Sequence, residues 1–123
     1  MYNITVPGGT VTVRPASDLS VKHTRPLQLR VLMFGSARFA AVLHDPSPTT
    51  EGLDPAIGFT AADEAAVEGI ADAAVWAVLD SWTLPLPVPE SPAAVGALPE
   101  HVREDVAEAT RGECARLLRR VLG

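Results

Sequence analysis

With 123 residues, 47% of them apolar and 20% charged, the chain can build one modest core but not two, and its composition is globular rather than disordered. Aromatic residues make up 5%, so that core must come mostly from Ala, Val and Leu, whose burial contributes only roughly 25 cal/mol per Å². A single cysteine excludes an internal disulfide, no apolar run approaches the roughly 18 residues of a membrane span, and a net charge of −5 argues against nucleic acid as the main partner.

The amino-terminal stretch MYNITVPGG has no charged segment leading into an apolar one, so a signal peptide is not expected, and a disulfide-free chain fits a reducing cytoplasm. From Asn3 to Arg14, β-branched residues alternate around Pro7-Gly8-Gly9-Thr10. This predicts a hairpin over 1–15, with Ile4, Val6, Val11 and Val13 on its apolar side. A two-stranded ribbon is rarely stable by itself, so it must lie on helices or pair with something else. Pro15-Ala16-Ser17-Asp18 breaks the ribbon. Ser20 or Thr24 can then cap a helix over 20–44, where Pro26 is tolerated if it falls in the first turn. Leu32, Phe39 and Leu43 form one stripe of that helix, Leu29, Met33 and Phe34 widen it, and Gly35-Ser36 marks a bend or a close contact.

Residues 45–59 are dense in Pro, Gly, Thr and acids, which predicts a loop, long for a compact domain. Thr60 to Trp82 predicts a long amphipathic helix. Val67, Ile70, Ala71, Ala74, Val75, Val78, Leu79 and Trp82 recur at steps of three and four, while Asp63, Glu64, Glu68, Asp72 and Asp80 lie away from them. Thr60 can cap its start, and Asp63 and Glu64 suit the positive end of the helix dipole. The prolines of residues 83–97 predict a stiff extended connector that packs on Trp76 or Trp82. A last helix over 98–122 puts Val102, Val106, Ala109 or Thr110, Cys114, Leu117, Leu118 and Val121 on one side, with Arg116, Arg119 and Arg120 at its negative end. The fold class expected is therefore mainly α: an N-terminal β-hairpin followed by a bundle of three or more helices, in one domain over residues 1–123.

Charge is unevenly spread. Residues 1–44 hold five basic groups against one acid, residues 45–90 hold nine acids and no Lys or Arg, and the remainder balances. The two regions can attract each other across the fold or face oppositely charged partners.

Residue types and spacings for chemistry are missing. His23, His44 and His101 form no metal-spaced set with each other or with Cys114, and Gly8-Gly9 lacks the lysine of a phosphate loop. Cys114 lies on the apolar face of the last helix, as an inert thiol would. Asp63, Glu64, Glu68 and Asp72 read as a solvated face rather than an acid/base pair. Arg25, Arg30 and Arg38 do not line one helical face in the manner of a nucleic-acid reader. No enzymatic activity, metal or cofactor is expected.

A hairpin ITVPGGTVTVR, a Leu-Ser-Val-Lys-x-x-Arg-Pro element from Leu19 to Pro26, an acidic loop, a helix ending in Val78, Leu79, Ser81, Trp82, Leu84, Pro85 and Pro87, and a Leu-Pro-x-x-Val-x-x-x-Val helix from Leu98 to Val106 follow in that order. This series resembles the small tail assembly chaperones of long-tailed phages and prophages of GC-rich actinobacteria; the preference for arginine over lysine fits such a genome. The 45–59 loop and the Gly35-Ser36 break depart from the resemblance. What it implies is a mostly helical, non-enzymatic cytoplasmic protein that coats the tape measure protein and is displaced by polymerising tail tube protein. A homo-oligomer is open, and neither membrane nor nucleic acid is involved. The competing expectation is a structural tail or neck component, or a small protein-binding adaptor. From the apolar faces, the expected gripping surface combines Leu32, Phe34 and Phe39 with Val75, Trp76 and Trp82.

Overall fold

The computed structural model describes residues 1–44 and 60–122, without the side chains of residues 41–44. The loop expected over 45–59, the stripe position Leu43 and the side chain of His44 therefore lie outside the description. The architecture is mostly helical with an N-terminal antiparallel hairpin, as expected.

Strands β1 (Tyr2–Val6) and β2 (Gly9–Val13) pair from Tyr2 opposite Val13 to Val6 opposite Gly9. The turn between them puts Pro7, with its fixed φ, before Gly8 at φ +88°, a value that costs a side chain dearly and glycine little. The alternation works as read: Val6, Val11 and Val13 are buried and Ile4 is partly so. After a 3-10 turn at Ala16–Asp18, helix α1 runs Val21–Phe34. Ser20 occupies the cap position, but its hydroxyl pairs with His23 Nδ1 at 3.0 Å and caps no backbone N–H. Pro26 stands inside the helix, past the first turn in which it was expected.

Gly35 ends α1. At φ +107° its N–H still bonds the Val31 carbonyl, 2.9 Å away, and α2 (Ser36–His44) then restarts in a new direction. The single helix expected over 20–44 is thus two helices, and the stripe joining Leu32 to Phe39 does not survive the break.

Helix α3 (Ala61–Val78) opens with a reciprocal capping box. Thr60 Oγ1 accepts from the Asp63 N–H at 3.2 Å, and the Asp63 carboxylate accepts from the Thr60 N–H at 2.9 Å. From Ile70 onward α3 is the centre of the molecule, packing on α1, the short α4 (Pro92–Gly96) and α5 (Glu100–Leu122). Ala73 and Ala77, not among the residues of the expected stripe, are as deeply buried as Val78, while Ala71, which is among them, faces solvent. The helix stops at Val78, and residues 79–82, expected to be helical, form strand β3 (Leu79–Trp82) antiparallel to β2. The sheet order is β1-β2-β3, with a bulge between Thr12 and Val13.

Arg14 makes this junction possible. Its backbone N–H bonds Val78 O at 2.6 Å, its guanidinium donates to Ala77 O (3.1 Å) and Leu79 O (3.0 Å), and it pairs with Asp80 at 3.1 Å. Carbonyls left over at the end of α3 thereby find donors without a loop. Together with Arg38–Asp63 at 3.2 Å, this pair ties the basic first third of the chain to its acidic middle. The proline segment then covers Trp82, whose indole N–H donates to Leu86 O at 2.7 Å. α4, which falls in the region expected to be all loop, is capped by Ser91 with Pro92 at its start. Gly96 lets it approach α3: a Cβ there would sit 3.0 Å from Asp72 Oδ2. Asp72 in turn receives both prongs of Arg103 from α5 at 2.8–3.1 Å.

Candidate protein-binding surface

Helix α1 has two apolar faces. Thr24, Leu27, Val31 and Phe34 point inward and are buried against the rest of the core. On the opposite side Val21 (65% exposed), Leu29 (53%), Leu32 (68%) and Met33 (89%) stand in solvent. Among the described side chains of the helices these are the large apolar ones left uncovered. Two shallow depressions adjoin it. One, of about 620 Å³, is lined by Val21, Lys22, Arg25, Pro26, Leu29 and Arg30. The other, of about 320 Å³, lies between α1 and α3, where Met33 overhangs Ala66 and Gly69.

The six residues expected to grip a partner do not share this surface. Leu32 lies on it. Phe34 and Phe39 are buried against each other edge to face, with ring centres 6.3 Å apart, and the Arg38 guanidinium covers Phe34 at 4.6 Å. Val75 and Trp82 are core residues, the latter turned inward by belonging to β3. Trp76 is half-buried beside His23, centroids 6.2 Å apart. Most of these side chains are enclosed by neighbouring elements, and among the described side chains the large apolar ones left open on a helix are those of α1. Leu29 and Met33, read only as widening the stripe, belong to the exposed set.

Polar clusters elsewhere hold the structure together. Glu113 on α5 is buried, accepting from the Ala16 N–H at 2.7 Å and the Tyr2 hydroxyl at 3.0 Å, and pairing with Arg116. Burial alone would raise its carboxyl, but the Ala16, Tyr2 and Arg116 contacts outweigh it and hold the group below the usual carboxylate range. Burial and the neighbouring Glu113 push the Tyr2 hydroxyl up in turn. With Arg120 donating to Ala16 O at 3.0 Å, this clasp docks β1 and the 3-10 turn on α5.

Burial raises the Cys114 thiol to about 11, so it is un-ionised at neutral pH. Burial also lowers His23, with Arg14 and Lys22 adding to the effect. Its pairing with Ser20 is solvent-exposed. Among the described residues no group of three His, Cys, Asp or Glu side chains converges as a metal site would require, and no helix is long and apolar enough to cross a membrane. Comparison of the chain with protein-family models, with curated proteins and with solved structures finds no match.

Proposed function

We propose that the chain is a non-enzymatic tail assembly chaperone, acting in the bacterial cytoplasm, that holds the tape measure protein while a long phage tail is built and yields it to incoming tail tube subunits. The order of sequence signals from the hairpin to the Leu98–Val106 helix motivates the reading. The observation that carries it is the solvent face of α1, where Val21, Leu29, Leu32 and Met33 lie uncovered among the described residues. One helix face of this size offers a small interface, and small interfaces release quickly, as a coat that must be stripped requires.

Co-expression with the tape measure protein of the same phage, followed by affinity capture, tests the reading. The wild-type chain retains the tape measure, and Leu32→Arg/Met33→Arg, whose changes lie in solvent and leave the circular dichroism melt in place, loses it. Capture undiminished in the double variant refutes the role of this face. The chain found at fixed stoichiometry in purified mature particles refutes the chaperone and makes it a structural tail component.

A further inference from the structure

The outer face of α1 has a sign as well as an apolar character. Steps of roughly 100° per residue bring Val21, Leu32, Arg25, Leu29, Lys22 and Met33 together on one side of the helix, opposite Leu27 and Val31. No acidic residue occurs anywhere from Val21 to Phe34. Lys22 and Arg25 stand in the first two turns, where the helix dipole disfavours cations, and neither enters an ion pair among the described residues. Arg14, Arg38, Arg103 and Arg116 are each matched to a carboxylate, whereas Arg30, Arg111, Arg119 and Arg120, like Lys22 and Arg25, enter no ion pair among the described residues. On a chain of net charge −5, two cations held against the dipole on an acid-free helix face present a positive charge that no carboxylate among the described residues meets.

We infer that this face docks an acidic amphipathic helix of another protein, its carboxylates on Lys22 and Arg25 and its apolar stripe along Val21, Leu29, Leu32 and Met33. The inference deepens the chaperone reading and rests on it for the occupant's identity, the acidic helix being the part of the tape measure that is held. A helix is the fitting occupant because it satisfies its own backbone and needs only side-chain complementarity, which is all a helical face offers. A second copy is a poor occupant, since α1 carries no acid from Val21 to Phe34 and a copy of it offers Lys22 and Arg25 no carboxylate. Two cations are too few for a nucleic acid or an anionic membrane, whose binding rests on clusters of basic residues.

The test titrates the full chain with two labelled peptides of about 20 residues that share one leucine stripe and differ in flanking Glu or Lys, read by fluorescence anisotropy. The Glu peptide binds at least about tenfold more tightly than the Lys peptide, and the preference shrinks severalfold at ~0.5 M salt. Arg25→Glu removes or inverts the preference, and Leu32→Ser/Met33→Ser weakens both peptides. Equal binding of the two peptides or no binding of the Glu peptide overturns the inference. So does binding to phosphatidylglycerol vesicles through the same residues, or self-association that Arg25→Glu abolishes. Loss of the inference is separable from loss of the chaperone reading. If the Glu peptide is ignored while the tape measure protein is still captured and Arg25→Glu does not matter, only the acidic-helix occupant fails. If the Glu peptide binds as stated and no tape measure protein is captured, the face stands and the chaperone falls.

Discussion

Helices α1 and α3 pack against each other, yet α1 leaves Val21, Leu29, Leu32 and Met33 in water whereas α3 from Ile70 to Val78 leaves only Ala71 fully exposed and Asp72 and Trp76 partly so. The difference lies in their surroundings. α3 has α1 on one flank, α4 and α5 on others, and runs directly into the sheet, so even alanines off its main stripe are sealed. Among the described residues α1 has neighbours on one side only. A helix apolar all round is a core element when enclosed and a binding element when it lies at the edge of the packing.

Breaking the enclosed side should cost most. Ile70 is fully buried where α3 enters the core, and Ile70→Ala is expected to lower unfolding free energy by about 3 kcal/mol in a urea titration, from lost transfer energy and the cavity left behind. Next comes the junction that allows α3 to pass into β3. Arg14→Met keeps most of the aliphatic stem but strips donors from the Ala77 and Leu79 carbonyls and leaves Asp80 unpaired, a loss of about 2 kcal/mol by the same measurement.

A smaller effect separates the clasp from the core. Glu113→Gln replaces one accepting oxygen by a donor facing either Ala16 N–H or Tyr2 OH, and should cost about 1–2 kcal/mol at neutral pH. Because the folded carboxyl lies below its ordinary value, its contribution is complete above the unfolded pKa and is lost as pH falls through the folded one. Melts recorded from neutral to acidic pH should therefore show the wild-type advantage over Glu113→Gln shrinking below the ordinary carboxylate range. An advantage that persists unchanged in acid would mean that the Glu113 charge does not hold the hairpin.

Local signals were read well where local chemistry decides. Pro7-Gly8 and the flanking alternation mark the hairpin, Thr60 and Asp63 mark the start of α3, and the stripe from Val102 to Val121 marks α5. β3 was hidden because Leu79 and Trp82 continue the helical spacing of Val75 and Val78; only pairing with β2, some 70 residues earlier in the chain, and the Arg14 contacts turn them into a strand. α4 was announced by Ser91-Pro92 but is too short for periodicity to reveal. Most of the residues expected to grip a partner are enclosed, because the sequence tells which side chains are apolar, not which are covered. Phe34, Phe39, Val75 and Trp82 went inside, while the absence of any acid from Val21 to Phe34 was the signal that could have pointed to the outer face of α1.

The smallest expected effect is the sharpest test of the contrast between the two helices. Leu32→Ser/Met33→Ser removes two large apolar side chains from the last turn of α1, a change that inside α3 would unfold the domain. Both are mostly in solvent, so neither loses much burial, and the double variant should stay within about 0.5 kcal/mol of wild type in the urea titration while its solubility rises. Its helix content should also hold, because Ser costs only a few tenths of a kcal/mol more than Leu or Met at an exposed helical position. Stability kept together with loss of partner binding would show that these side chains serve association rather than folding. A loss of ~2 kcal/mol or more would show that something covers the outer face of α1 even in the isolated chain. In that event α1 would be as enclosed as α3, and the surface on which the binding argument rests would not be free.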